Sequence, residues 1–142
     1  MNDAIDPSAG RWPRWLKWPL ILLGLAGVGV LLWQALPRGA YPTDLSRVGA
    51  GRPVLVLAHD TNYVGSAEVM ELMNGIRADY EGRVDFLVAH LALADAQAFA
   101  ARHAASDGTV LLFAGDGRRV GVLYQPKSAD ELRRALAQAF GP

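Results

Sequence analysis

The hydrophobic pattern opens with one long uncharged stretch, which is followed by short apolar runs separated by polar turns. Residues 18–36 form 19 consecutive positions without a charge. At about 1.5 Å per residue, a helix of this length spans about 29 Å, close to the hydrocarbon thickness of a bilayer. The stretch also lacks the polar face that a helix of a soluble protein would show. The pattern therefore predicts one transmembrane helix.

Aromatic and basic residues around this stretch favour an uncleaved membrane anchor. All four tryptophans of the chain cluster near its ends, as interfacial anchors do: Trp12, Trp15, Trp18 and Trp33. A cleaved signal peptide is the alternative, but cutting after Ala40 would place Arg38 where a small residue is needed. Three basic residues precede the span and Arg38 alone follows it closely, which predicts a cytoplasmic segment at 1–17 and an extracytoplasmic or periplasmic C-terminal domain.

From Pro53 onward the pattern alternates between strands and helices, whereas residues 37–52 have no apolar period and are interpreted as a tether. Continuous apolar runs predict strands covered on both faces, and the turn Gly115–Arg118 predicts that the last two strands pair antiparallel. The predicted strands are Val54–Ala58, Val84–His90, Thr109–Ala114 and Val120–Tyr124. The predicted helices are Ser66–Tyr80, Asp95–Ala105 and one opened by a capping box at Ser128–Glu131, with Ser66 and Ser128 as caps. The order predicts a single α/β domain over residues 53–142.

The segment from Pro53 to Val84 resembles the first central strand, active-site loop and long helix of the thioredoxin family. Aligned without a gap, the two cysteines of the family's Cys-x-x-Cys motif become Tyr63 and Ser66, and the whole chain has no cysteine. A phenol or an aliphatic hydroxyl cannot replace the attacking thiolate of disulfide exchange. The family's buried acidic residue becomes Leu57 and its cis-proline becomes Gly108. The resemblance implies a minimal βαβαββα thioredoxin-like three-layer sandwich without thiol–disulfide oxidoreductase activity.

The same resemblance implies a candidate surface for binding a protein partner. Its residues are Tyr63, Val64, Gly65, Ser66, Gly108 and Thr109. Tyr63 has the amphipathic side chain that anchors many interfaces, and N–H groups at the start of the following helix are expected to donate hydrogen bonds to an anionic or carbonyl group of a ligand. Family members lay partner peptides against the backbone near Gly108–Thr109, where glycine restores an N–H that proline lacks. The alternatives are that Ser66 only caps its helix and that Tyr63 packs over its own loop.

Three further polar residues follow predicted strand ends. His59 and Asp60 come after the first strand and His90 ends the second, so all three are placed near one edge of the sheet. Two imidazoles and a carboxylate suit a transition metal or acid–base chemistry where their geometry converges. The alternative is that each is an isolated polar residue bonded to loop backbone.

Charge and motifs narrow the function further. The formal charge is zero overall, and residues 41–142 carry 10 Lys/Arg against 12 Asp/Glu without a basic stripe, which argues against a nucleic-acid partner. The sequence has no phosphate-cradling glycine loop, zinc-ligand spacing or nucleophile elbow, so no cofactor is expected. The leading hypothesis is a non-catalytic binding or assembly module for an envelope or inner-membrane protein. The alternatives are a metal-binding or hydrolytic protein using His59, Asp60 and His90, and an accessory to a separate thiol oxidoreductase.

Overall fold

The protein divides into two compact units, Met1–Ala40 and Tyr41–Pro142, in a computed structural model that describes residues 14–35 and 39–142. In the first unit one helix, α1, covers Arg14–Ala35. Among the described residues, no helix is both long enough and apolar enough to cross a membrane. Most of the predicted segment 1–17, the last residue of the predicted span 18–36 and the first two residues of the tether lie outside the described residues.

The second unit contains one four-stranded mixed sheet and three helices. Its elements are β1 Val54–His59, α2 Gly65–Ile76, β2 Asp85–His90, α3 Ala94–His103, β3 Thr109–Phe113, β4 Arg119–Tyr124 and α4 Ala129–Phe140. The strand order is β2-β1-β3-β4, with β1 parallel to β2 and antiparallel to β3, and with β4 antiparallel to β3. The predicted βαβαββα order and the antiparallel pairing of the last two strands are confirmed.

Helices cover the sheet on both faces, which explains why the first three strands are apolar without interruption. On one face, α2 and α4 pack on a buried cluster whose strand residues include Leu55, Leu57 and Leu112. On the other face, α3 packs through Phe99 on a cluster that includes Val56 and Phe113. A strand buried on both faces needs apolar side chains at successive positions, because neighbours alternate between the two faces.

Residues from Tyr41 onward belong to this second unit. The Tyr41 side chain is only 8% exposed, and its hydroxyl donates to Oδ1 of Asn74 at 2.6 Å. The carbonyl of Pro42 accepts from the N–H of Val88 at 3.0 Å, on the outer side of β2. A short 3₁₀ helix covers Leu45–Arg47. The stretch interpreted as a tether therefore contributes packing and one hydrogen bond to the sheet.

Some helix ends differ from the sequence prediction: α3 covers Ala94–His103 and not Asp95–Ala105. The α-helical part of α2 ends at Ile76 and continues as a 3₁₀ helix at Arg77–Tyr80. At the start of α4, Ser128 Oγ accepts from the N–H of Glu131 at 3.2 Å, as the capping box predicts. The Glu131 carboxylate reaches the N–H of Lys127 at 2.9 Å, one residue before the donor that a capping box uses.

Candidate functional site

The loop between β1 and α2 carries the two residues aligned with the family's cysteines. β1 ends at His59 and α2 begins at Gly65, so Tyr63 lies in the loop and Ser66 in the first turn of the helix. The side chains of Tyr63 and Val64 are 64% and 78% exposed, whereas Ser66 is fully buried. The junction therefore exposes a tyrosine and a valine at the surface and buries the serine. The alternative in which Tyr63 packs over its loop does not fit this exposure.

Ser66 does not cap α2, contrary to the sequence prediction. The cap residue of α2 is Val64, which makes no side-chain cap bond. The Ser66 hydroxyl lies in the first turn of the helix, and its Oγ is 2.7 Å from Nδ1 of His59, the last residue of β1. This hydrogen bond satisfies a hydroxyl that would otherwise be buried without a partner, a costly arrangement. It also fixes the His59 ring against the start of the helix.

Asp107 supplies the acceptor at the start of α2. Its Oδ2 accepts from the N–H of Ser66 at 3.1 Å, and its Oδ1 accepts from the N–H of Asp60 at 2.9 Å. A carboxylate is favourable there because the first N–H groups of a helix have no partner within the helix and carry partial positive charge. The N–H of Ser66 therefore already has an acceptor within the domain. Sequence reasoning missed Asp107 because it lies 41 residues beyond Ser66.

Gly108 and Thr109 lie beneath the surface of the site. Both are buried, and the N–H of Gly108 donates to the carbonyl of Ala58 at 2.9 Å while its carbonyl accepts from the N–H of Gln125 at 3.0 Å. The N–H of Thr109 donates to the carbonyl of Ser106 at 3.0 Å. The N–H that glycine restores at position 108 is thus used within the domain. The N–H groups of Gly108 and Thr109 and the carbonyl of Gly108, which the predicted pairing with a partner peptide would use, are already hydrogen-bonded within the domain.

Gln125 is a second residue of the site that the sequence did not indicate. It has a φ of +45°, which is rare outside glycine, and it follows directly after β4. Its side chain lies against two glycines: a Cβ added to Gly108 would come within 2.8 Å of Gln125 Cγ, and one added to Gly65 within 3.0 Å of Nε2. Glycine at both positions therefore leaves the space that Gln125 fills.

Tyr63, Asp107 and Gln125 border one open groove of about 760 Å³. The groove is lined by Asp60, Tyr63, Val64, Gly65, Glu68, Leu91, Ala105, Ser106, Asp107, Gln125 and Lys127. Its lining carries three carboxylates and one ammonium group, and Lys127 Nζ lies 3.6 Å from Glu68 Oε2. The groove thus combines exposed apolar side chains with a negative charge balance.

The three residues proposed for metal or acid–base chemistry take separate roles. The His59 and His90 rings meet edge to face, with centroids 5.2 Å apart, and His59 Nδ1 is bonded to Ser66. The Asp60 carboxylate turns to its own loop and accepts from the N–H of Asn62 at 3.0 Å and from its side-chain amide at 2.8 Å. Over residues 14–35 and 39–142, no three or more His, Asp or Glu side chains are grouped so that they could hold a metal ion.

Comparison with known proteins rests on structure. No protein-family model matches the sequence, and no curated protein is significantly similar to it. The chain is similar to the crystal structure of Trxlp from Edwardsiella tarda EIB202, with a TM-score of 0.57 and 15% identity over 68% of this chain and 96% of that one. It is also similar to an uncharacterised thioredoxin-like protein from Clostridium perfringens, with a TM-score of 0.61 and 14% identity over 68% of this chain and 78% of the other.

A thioredoxin from Thermus thermophilus is similar as well, with a TM-score of 0.54 and 22% identity over 69% of this chain and 83% of that protein. Identities this low establish the fold and leave function open. Together with the strand order and the two helical layers, these similarities show that the chain has a thioredoxin-like fold. The sequence contains no cysteine with which to perform thiol–disulfide exchange.

Proposed function

We propose that the chain is a redox-inactive thioredoxin-like module that binds another protein through a docking face formed by Tyr63, Val64 and Gly65. The observation that carries the proposal is the exposure of Tyr63 and Val64, at 64% and 78%, beside a fully buried Ser66. Tyrosine is enriched at the energetic centres of protein interfaces, because it buries a large area with few rotatable bonds. Gly108 and Thr109 support this face from below.

A binding role fits the chemistry of the face better than a catalytic one. The chain has no thiol, and Ser66, the residue aligned with the second cysteine, is buried and bonded to His59. A buried hydroxyl in the first turn of a helix is inaccessible to a substrate carbonyl. His59 and His90 have no third His, Asp or Glu placed among the described residues to complete a metal site.

Site-specific photo-crosslinking in intact cells tests the proposal. A photoreactive phenylalanine derivative placed at Val64 is expected to capture a protein partner, and Tyr63→Ala in the same chain is expected to lower the yield. The matched control carries the photoreactive residue at Gln138, which is also exposed but lies on α4 beside a different groove. Equal capture from both positions, or none from Val64, would refute the docking face. Capture of a cysteine-containing oxidoreductase would narrow the role to assistance of that enzyme.

We also propose that the module is held at the inner membrane with its N-terminus in the cytoplasm and its C-terminal domain in the periplasm. This proposal rests on the sequence: the uncharged stretch at 18–36, the tryptophans near its ends and the basic residues before it. The partners are accordingly proposed to be envelope or inner-membrane proteins.

Reporter fusions after Pro142 test this location. Alkaline phosphatase fused there is expected to be active, because it folds only outside the cytoplasm, and green fluorescent protein exported unfolded is expected to be dark. The membrane fraction should retain the protein after carbonate washing. A fluorescent fusion that is recovered in the soluble fraction would contradict both the topology and the anchor.

A further inference from the structure

The groove beside the docking face has more acidic than basic side chains in its lining. Its lining includes the carboxylates of Asp60, Glu68 and Asp107 and a single ammonium group, that of Lys127. The side chains of Lys127 and Glu68 are 69% and 65% exposed, so their contact at 3.6 Å is a solvated ion pair of small energy. The groove therefore retains a net negative charge.

The start of α2, where free N–H groups would attract an anion, is already occupied. Asp107 accepts from the N–H groups of Asp60 and Ser66, so a carboxylate of the chain itself lies at the start of α2. An acidic partner side chain would have to displace Asp107 or approach it at close range, and like charges at close range repel. The site thus disfavours the acidic ligands that an open helix N-terminus would bind.

Apolar side chains lie beside these carboxylates in the groove. Tyr63 and Val64 are exposed at the mouth of the groove and Leu91 is half-buried within it. A tyrosine ring attracts a cation placed over its face, and arginine makes this contact most often. Resting on the docking function proposed above, we propose that the groove binds a peptide segment of the partner in which Arg or Lys alternates with apolar side chains.

Three matched peptides test this inference with the full chain. They share one set of apolar residues and carry Arg, Gln or Glu at the intervening positions, and each has the same fluorescent label for anisotropy titrations. The Arg peptide is expected to bind about two- to fivefold more tightly than the Gln peptide for each charge pair formed, and the Glu peptide most weakly. The difference should shrink as ionic strength rises from about 0.01 M to about 0.15 M, since the screening length falls from about 30 Å to about 8 Å.

Two substitutions on one helix separate the groove from general charge effects. Glu68→Gln is expected to reduce the preference for the Arg peptide about two- to fivefold, because Glu68 lines the groove. Glu71→Gln removes the same charge from an exposed position of α2 outside the groove and should reduce the preference less than Glu68→Gln does. Equal loss in both variants would overturn the inference.

The outcomes also separate this inference from the docking function. Equal affinity for all three peptides, with all of them weakened by Tyr63→Ala, would overturn the cation preference and leave protein binding at the docking face intact. Binding of none of the peptides would overturn the inference, while crosslinking at Val64 would still decide the docking function independently.

Discussion

At the scale of single residues, the two positions aligned with the family's cysteines hold an exposed tyrosine, Tyr63, and a buried serine, Ser66. Ser66 is held by His59, and its own N–H is held by Asp107, so each polar group at this position has a partner. Tyr63 remains outside. In a dithiol site both sulfurs take part in exchange, whereas here one side chain is exposed and the other is buried and hydrogen-bonded.

His103 offers a residue-scale prediction of pH dependence. Its ring packs on Phe99 and Phe113, with centroids 4.7 Å and 5.0 Å away. Burial, followed by the nearby positive charges of Arg119 and Arg102, lowers the pKa of His103 below its ordinary 6.5. The unfolded chain therefore binds more protons here than the folded one. The resulting stability is complete above the ordinary pKa and is lost as pH falls through the lowered value.

An NMR titration of the His103 ring protons measures this shift, and the midpoint is expected below 6.5. Arg119→Gln should move the midpoint upward, because it removes one of the two positive charges. Arg118→Gln serves as the matched control and should leave the midpoint unchanged, since Arg118 is paired with Asp116. A midpoint at or above the ordinary value would contradict the prediction.

At the scale of elements, the start of α2 depends on a residue from a distant loop. Asp107 precedes β3, yet it bonds the N–H of Ser66 in α2 and the N–H of Asp60 in the loop after β1. It therefore joins three segments at the docking face. Local residues give this helix no side-chain cap.

We expect Asp107→Ala to lower the free energy of unfolding by about 1–3 kcal/mol, because two N–H donors lose their acceptor. Asp107→Asn retains one oxygen acceptor and should lose less. Urea unfolding followed by circular dichroism gives these values when the slope is unchanged between variants. The control Glu71→Ala, at an exposed position of the same helix, should change stability by less than about 0.5 kcal/mol. A loss for Asp107→Ala no larger than that of the control would exclude the capping role.

The sequence predicted the elements well and the polar contacts of the site poorly. β1, predicted at Val54–Ala58, extends one residue further, and the fourth strand begins one residue earlier than predicted. These strands follow from runs of apolar residues, which are local patterns. The capping role assigned to Ser66 was wrong because the competing acceptor lies 41 residues away, and such contacts depend on tertiary packing.

The positions of Tyr63 and Ser66 at the strand-to-helix junction were predictable from the resemblance, since both depend on alignment with a known pattern. The role of Gln125 was not, because nothing in a glutamine followed by proline indicates a positive φ. Asp107 precedes a glycine, and an Asp-Gly pair indicates only a turn, so its contact with α2 was not indicated by the local sequence.

At the scale of the whole molecule, the domain rests on two apolar clusters separated by the sheet. Leu57 lies in the cluster beneath α2 and α4 and is fully buried. It occupies the position aligned with the family's buried acidic residue. An aliphatic side chain there contributes to packing at a position where a carboxylate would have to be desolvated.

Leu57→Ala is expected to destabilise the domain by about 2–5 kcal/mol, the range for truncating a leucine inside a packed core. Urea unfolding of the full chain measures this loss. Leu93→Ala is the matched control: the side chain of Leu93 is 51% exposed, and its truncation should cost less than about 1 kcal/mol. Similar losses for the two variants would mean that Leu57 contributes little to the core.

The fit of Gln125 over Gly108 has a consequence for protein engineering. Proline requires a φ near −65°, whereas Gly108 has a φ of +79°, and any added Cβ would collide with Gln125. Introducing cysteines at Tyr63 and Ser66 would therefore leave the backbone at Gly108 unable to accept a proline, so two thiols alone would not reproduce a dithiol site of the family type.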